Sequence, residues 1–462
     1  MNKLLIPPSL ENLIGLIEQC LLLAKEQGFA VDEIELGVSP TQSVHIATDS
    51  HTVQLDTDLA GEISQSSAGT NAVRLFYRSD LSVPNCLHQS SRSVFIGVED
   101  ALAEGETQCL DIWRHPINNE VRALSISQKA KQSFRKEHHF AWTLVLLTLE
   151  FPLEDALTLS RAMASKQNDV SRETSKCDEG KIAGQWACEF KDFPIPVLEH
   201  SGLGIQVGWS PQGHSVSFPT MTKESLGLYP VVDDVTWIET LLALGINTIQ
   251  LRIKDPQQAD LELQIERAIA LGRQYNAQVF INDYWQLAIE HGAFGVHLGQ
   301  EDIEASNLAQ LSAAGIKLGL STHGYYELLR IIQINPSYIA LGHIFPTTTK
   351  EMPSKPQGLV RLALYQKLID SIPYGQSESF ESNNPTRFGF PTVAIGGIDQ
   401  SNAEQVWQTG VSCLAVVRAI TLAQCPATVI GYFNQLMQQD IGKSNRSQSA
   451  STFGESGVQH AF

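Results

Sequence analysis

LGLYPVVDDVTWIETLLALGINTIQLRIK, Leu226 to Lys254, holds two short apolar runs with a helical stretch between them. The runs are Leu226 to Val232 and Thr248 to Ile253, and the amphipathic segment is Trp237 to Leu244. Further runs follow at Gln278 to Asn282, Gly295 to Leu298, Lys317 to Ser321, Tyr338 to Leu341, Thr392 to Gly396 and Cys413 to Val417. Helical segments such as Leu261 to Tyr275 and Leu359 to Ile372 lie between them. About eight such strand-helix units over roughly 210 residues predict an α/β architecture, a closed (β/α)8 TIM barrel. An open doubly wound sheet usually has fewer units and a glycine fingerprint after its first strand, and neither is seen.

Working outward, Tyr374 to Phe388 (YGQSESFESNNPTRF) interrupts the rhythm and reads as a surface insertion, residues 374–388. Gly442 to Phe462, rich in Ser, Gln and Gly, reads as a disordered tail. The chain has 462 residues, more than one core usually organises, so a second domain is expected. Toward the N-terminus, Ser9 is placed to cap a helix over Leu10 to Leu21, ended by Gly28. Strand-like runs then occur at Ile34 to Leu36, Ser43 to Ile46, Val73 to Tyr77 and Val94 to Ile96. Helices return at Phe140 to Leu149 and Leu153 to Met163, followed by a polar loop over 165–184. The expected organisation is a separate α+β N-terminal domain over 1–220, the barrel over 221–441 and the tail over 442–462.

Composition narrows the function. Lys+Arg number 32 against Asp+Glu 50, and a net charge of -18 repels nucleic acid and anionic lipid at long range. An anionic small substrate would need a local basic cluster or a divalent metal. The seven cysteines (Cys20, Cys86, Cys109, Cys177, Cys188, Cys413, Cys425) are scattered, with no C-x-x-C pair, and suit reduced thiols in a cytoplasmic protein. Phe140 to Leu149 falls far short of the roughly 20 apolar residues of a membrane span, and Leu10 to Ala24 is an amphipathic helix, not a signal peptide.

In a TIM barrel the active site lies at the carboxyl ends of the strands. The second run ends in Gln250-Leu251-Arg252-Ile253-Lys254, whose period of two puts Gln250, Arg252 and Lys254 on one face. The third ends in Asn282-Asp283, and HLGQED after the fourth contains Asp302. Two carboxylates brought to one mouth can hold Mg²⁺, although an Asp such as Asp302 also makes a good helix cap. Ser321-Thr322-His323 follows the fifth run, and Phe345 to Lys350 (FPTTTK) forms a ready phosphate cradle after the sixth. Gly396-Gly397 ends the seventh, where missing side chains let a phosphate approach backbone N–H groups. Together these residues describe a metal-assisted diphosphate site and a separate phosphate site at one mouth. With no Ser-His-Asp set or G-x-S-x-G elbow, departure of a metal-bound diphosphate is the chemistry they suit.

LGLYPVVD, QLRIKD, FINDYW, GVHLGQED, STH, YIALGHIFPTTTK, AIGGI and AVV occur in order, and the stretch from Leu226 to about Met437 resembles the thiamine-phosphate synthase family, enterobacterial type. The resemblance implies a transferase that joins 4-amino-2-methyl-5-(diphosphomethyl)pyrimidine to a thiazole phosphate, giving thiamine phosphate and pyrophosphate. It implies that Gln250, Leu251, Arg252, Ile253, Lys254, Asn282, Ser321 and Lys350 hold the pyrimidine diphosphate, and that Asp283 and Asp302 hold Mg²⁺. Arg252, Lys254 and Lys350 would stabilise the leaving diphosphate. Thr347, Thr348, Thr349, Gly397, Val417 and Arg418 fall where the family holds the thiazole phosphate, and Arg418 stands where the family usually has Ser. The implied partners are these two small substrates, with no nucleic acid and no membrane, and a homo-oligomer is left open.

In the N-terminal half, HHFAWTLVLLTLEFPLEDALTLSRAMA resembles the last helices of ribokinase-like pyrimidine kinases but lacks the Gly-rich anion hole and catalytic Asp. A structural, partner-binding or regulatory domain is expected there. Two alternatives to the synthase are a thiazole tautomerase-like barrel, which would not need Asp283 and Asp302, and a noncatalytic phosphate-binding regulator.

Overall fold

The computed structural model of the chain describes residues 2–61, 72–77, 83, 86, 92–101, 107–173, 185–209, 216–347, 355–375 and 387–450. Two compact units divide the chain: Met1–Gly213 with Gly324–Ile334 and Lys367–Ile372, and His214–His323 with Asn335–Gln366 and Pro373–Phe462. Among the described residues no helix is long and apolar enough to cross a membrane.

The second unit carries the expected barrel. Its strands are β1 (Leu228–Val232), β2 (Thr248–Leu251), β3 (Gln278–Asn282), β4 (Gly295–Leu298), β5 (Lys317–Thr322), β6 (Tyr338–Gly342), β7 (Thr392–Ile395) and β8 (Cys413–Val416). All neighbours pair in parallel, and β8 returns to β1 with Leu228 opposite Leu414 and Pro230 opposite Val416. The interior is filled by alternate residues of several strands, including Tyr229, Val231, Phe280, Tyr338, Ala340, Val393, Cys413 and Ala415. Large rings are admitted by small neighbours: a Cβ at Gly295 would strike the Phe280 ring, and one at Gly319 the Tyr338 ring. Such alternation of bulk makes the barrel a packed core, with a cavity at the carboxyl ends of its strands.

The short pair Pro373–Tyr374 and Arg387–Phe388 brackets the expected insertion, of which 376–386 lie outside the described residues. The last helix, Pro426–Ala450, runs into the stretch read as a tail over 442–462 and replaces that reading for 442–450. Continuing a helix adds one hydrogen bond for each residue fixed, and Gly442 does not stop it. Residues 451–462 lie outside the described residues.

The first unit holds a nine-stranded mixed sheet. From one edge its strands are Ile34–Val38, Asn2–Ile6, Val44–Ala47, Thr52–Thr57, Val73–Phe76, Ser93–Ala101, Thr107–Arg114, Val121–Ile126 and Ile195–Pro196. The cap expected at Ser9 is not formed: Ser9 lies inside a 3-10 turn, Pro8–Leu13, and the α-helix begins at Ile14. The helix Lys136–Thr148 is buried at every position from His139 to Thr148, which is why its sequence has no single apolar face. The helix Leu153–Glu173 runs well into the stretch read as a loop over 165–184, because no Gly or Pro interrupts it before Gly180. Residues 174–184 lie outside the described residues. Inside the unit, Arg161 Nε donates to Asp111 Oδ2 at 2.8 Å, and the Gly97 N–H donates to Asp111 Oδ1 at 2.8 Å. Loss of either partner would strand a buried charge, a change that typically costs about 3–5 kcal/mol.

Asp155 belongs to the same unit and is fully packed. Its Oδ1 accepts from the Tyr326 N–H at 2.9 Å, and a Cβ at Gly324 would collide with its carboxyl group. Burial pushes the carboxyl up to about 7, with the Tyr326 N–H pulling the other way. The folded chain therefore holds a proton there that the unfolded chain releases near pH 4, so stability falls as pH rises from about 4 to 7 and the cost persists above. Asp155→Asn keeps an acceptor for Tyr326 and removes this titration. Thermal unfolding at pH 5 and pH 8 should show a smaller loss of midpoint for the variant than for the native chain. Equal losses would mean that Asp155 is ionised throughout.

Candidate active site

The carboxyl ends of the barrel strands surround a cavity of about 520 Å³. On β2 the period of two separates functions. Gln250 and Arg252 line the cavity, while Leu251 and Ile253 are turned into the core at 1% and 4% exposure, leaving only their backbone for a ligand. Lys254 is exposed and outside the lining. The Arg252 N–H is tied to the Val232 carbonyl at 2.7 Å, which extends the β1–β2 pairing to the cavity edge.

Asn282 ends β3 and is buried, and Asp283 follows with a φ of 66°, in the left-handed region that Asp tolerates better than most residues. The Asp283 N–H donates to the His297 carbonyl at 3.0 Å, fixing this turn to β4. Asp302 stands in the first turn of the helix Gln300–Ala305, where its Oδ2 accepts from the Gly299 N–H at 3.0 Å. It is thus a helix cap and a cavity residue at once. Asp283 and Asp302 both line the cavity. One carboxylate keeps an oxygen beyond its capping bond, and the pair offers the hard anionic oxygens suited to Mg²⁺, whose shell is usually completed by water and phosphate.

The opposite rim is built from the last loops. The Ile344 and Phe345 N–H groups donate to the Ile395 and Gly396 carbonyls at 3.1 and 3.0 Å, so the loop after β6 is laced to the end of β7. Gly396 and Gly397 have φ values of 106° and 67°. A Cβ would lie 2.5 Å from His343 Cβ at the first and 2.7 Å from the Pro346 carbonyl oxygen at the second. The Gly-Gly pair is therefore required by backbone packing, beyond the access it leaves for a phosphate. Thr347, Val417 and Arg418 join this rim; Thr348, Thr349 and Lys350 lie outside the described residues.

Of the residues expected from the sequence, Gln250, Arg252, Asn282, Asp283, Asp302, Ser321, Thr347, Gly397, Val417 and Arg418 meet at one cavity. His297, His323, His343 and Asp399 line it as well, without having been assigned a role. His297 stands inside the quoted GVHLGQED run, and its signal is a polar residue on the inward period of a barrel strand. Burial and the neighbouring His323 lower the His343 pKa, so its imidazole favours the neutral form.

A family model described as thiamine monophosphate synthase matches residues 228–420. The chain is similar to a thiamine-phosphate synthase of Yersinia pestis, 54% identical over 206 residues, covering 45% of this chain and 87% of that protein. It is similar also to one of Salmonella paratyphi B, 53% identical over 207 residues, covering 45% and 89% respectively. A solved structure, a thiamine phosphate pyrophosphorylase from Pyrococcus furiosus, shares 26% identity over 47% of this chain and 98% of its own, with a TM-score of 0.39.

The packing of the late loops makes a direct prediction. Gly396→Ala should lower stability by roughly 2 kcal/mol or more, since it adds a steric clash to a backbone conformation that L-residues avoid. Hydrogen exchange should quicken at 343–347. An unchanged unfolding midpoint and unchanged exchange would show that the loop accommodates a side chain there.

Proposed function

Because the chain belongs to the thiamine-phosphate synthase family, we propose that its barrel joins the 4-amino-2-methyl-5-(diphosphomethyl)pyrimidine to a thiazole phosphate by a Mg²⁺-dependent, dissociative displacement. The observation that supports this reading is the shared cavity: Arg252, Asn282, Asp283, Asp302 and Ser321 from the early strands face Thr347, Gly397, Val417 and Arg418 from the late loops. Two phosphorylated substrates need two anion sites spaced so that the thiazole nitrogen can reach the methylene carbon, and one mouth lined in this way can supply both.

Asp283 and Asp302 would hold the ion, which when bound neutralises charge on the diphosphate. Arg252, Lys254 and Lys350 of the FPTTTK loop would stabilise the charge that develops as the methylene carbon–oxygen bond breaks and pyrophosphate takes the electron pair. The amino group of the pyrimidine donates into the ring and supports the methylene cation. The thiazole nitrogen then forms the new carbon–nitrogen bond, so no protein nucleophile is required. Leu251 and Ile253 contribute backbone only. Arg418 stands where the family resemblance implies Ser, and its guanidinium would add charge to the thiazole-phosphate site. Cys20, Cys86, Cys109, Cys188, Cys413 and Cys425 are free thiols, in keeping with a cytoplasmic location.

The purified full chain should form thiamine phosphate and pyrophosphate from the two precursors, and lose this activity on chelation. Full turnover in the absence of divalent ions would remove the metal from the account. Asp283→Ala should lower turnover roughly a hundredfold, the scale of one lost element of electrostatic stabilisation.

The two anion sites are separable by kinetics. Lys350→Ala should act on turnover, whereas Thr349→Ala should chiefly raise the KM for the thiazole phosphate. If Lys350→Ala raised only that KM while Thr349→Ala left it unchanged, the two assignments would have to be exchanged.

A further inference from the structure

Inside the barrel, five side chains form one hydrogen-bonded relay. Ser321 Oγ lies 2.8 Å from His297 Nε2, and His297 Nδ1 lies 2.8 Å from the Tyr338 hydroxyl. The Tyr338 and Tyr229 hydroxyls are 2.9 Å apart, and the Gln250 side chain hydrogen-bonds to Tyr229. Tyr229 and Tyr338 are 1% and 0% exposed, whereas Gln250, His297 and Ser321 line the cavity. The two ends of the relay thus face the ligand space, and its middle is sealed in the core.

Proton counting leaves the relay two directions, each of which sets both ends at once. Burial keeps both phenols protonated, each with a single proton to donate. With an amide N–H of Gln250 turned to the Tyr229 oxygen, the Tyr229 proton goes to Tyr338 and the Tyr338 proton to His297 Nδ1. His297 then carries its proton on Nε2 and donates it to Ser321 Oγ. What remains for the cavity is the carbonyl oxygen of Gln250 at one end and the O–H of Ser321 at the other. Reversing the direction would turn both ends over together, presenting an amide N–H at position 250 and a lone pair at position 321.

We propose that His297, Tyr338 and Tyr229 are positioning residues for the aminopyrimidine substrate, and that their relay holds Gln250 as an acceptor and Ser321 as a donor toward it. An exocyclic amino group donates and so meets the Gln250 carbonyl; a ring nitrogen or diphosphate oxygen accepts and so meets the Ser321 hydroxyl. The substrate side of this inference rests on the synthase reading, whereas the relay stands without it.

The test separates the two. Long-range ¹H–¹⁵N NMR of histidine-labelled full chain, with the His297 signals identified by their loss in His297→Asn, should show a neutral ring protonated on Nε2. A ring protonated on Nδ1, or an imidazolium, overturns the direction. Tyr338→Phe should disturb that tautomer and raise the KM for the pyrimidine diphosphate roughly tenfold, the scale of one buried hydrogen bond, with the thiazole-phosphate KM unchanged. Equal changes in both KM values, or an unaltered tautomer, overturn the positioning role. His297→Gln, which can accept from Tyr338 and donate to Ser321, should recover most of the pyrimidine affinity lost in His297→Leu. Equal affinity in the Gln and Leu variants counts against the relay even if Tyr338→Phe does not fold. A native chain that turns over neither substrate would sink the synthase reading and leave the tautomer result standing.

Discussion

The pairing of Cys413–Val416 with Leu228–Val232 closes the barrel, and the functional site depends on that closure. Gln250 belongs to the second strand and Arg252 follows its end, while Gly397 and Arg418 follow the seventh and eighth. In an open sheet these groups would lie at separate edges, and closure makes the last loops neighbours of the first. The interior packing maintains the ring in turn: Phe280 and Tyr338 fill the space left by Gly295 and Gly319, so side chains near the strand ends have a solid floor beneath them.

The electrostatics reverse locally what the whole chain carries. A net charge of -18 would repel diphosphate at a distance, yet Arg252 and Arg418 stand at the cavity beside a carboxylate pair suited to a divalent cation. At the separations of a bound phosphate, nearby charges in a partly desolvated cleft outweigh distant ones that salt screens. The polar relay under this surface adds direction to charge. Its tyrosines are buried among apolar side chains, where an unpaired hydroxyl would cost more than at the surface, so the hydrogen bonds they make are strongly favoured.

Much of this organisation was legible in the sequence because a parallel barrel writes itself as repeated short apolar runs, and because period-two alternation identified Gln250 and Arg252 as facing one way. Lys254 shows where that rule stops: beyond the end of the strand the same period leaves it exposed and outside the cavity lining. The strands Asn2–Ile6, Thr52–Thr57, Thr107–Arg114 and Val121–Ile126 were not read, since a sheet covered by helices needs no clean alternation and its order depends on distant pairings. His297 was passed over for a different reason. A histidine in an apolar run has no local mark of its role; that role arises from Tyr338 and Ser321, which neighbouring strands bring to within 2.8 Å. The Asp155 contact with Tyr326 is likewise a product of folding, joining residues far apart in the chain.

The most direct measurement is a crystal structure of the full chain grown with thiamine phosphate, pyrophosphate and Mg²⁺. Pyrophosphate should lie against Arg252 with an ion bonded to Asp283 and Asp302, while the phosphate of the other product sits at Gly397 and Arg418. Both anions at the late loops, or an occupied cavity whose Asp283 and Asp302 bind no ion, would contradict the account.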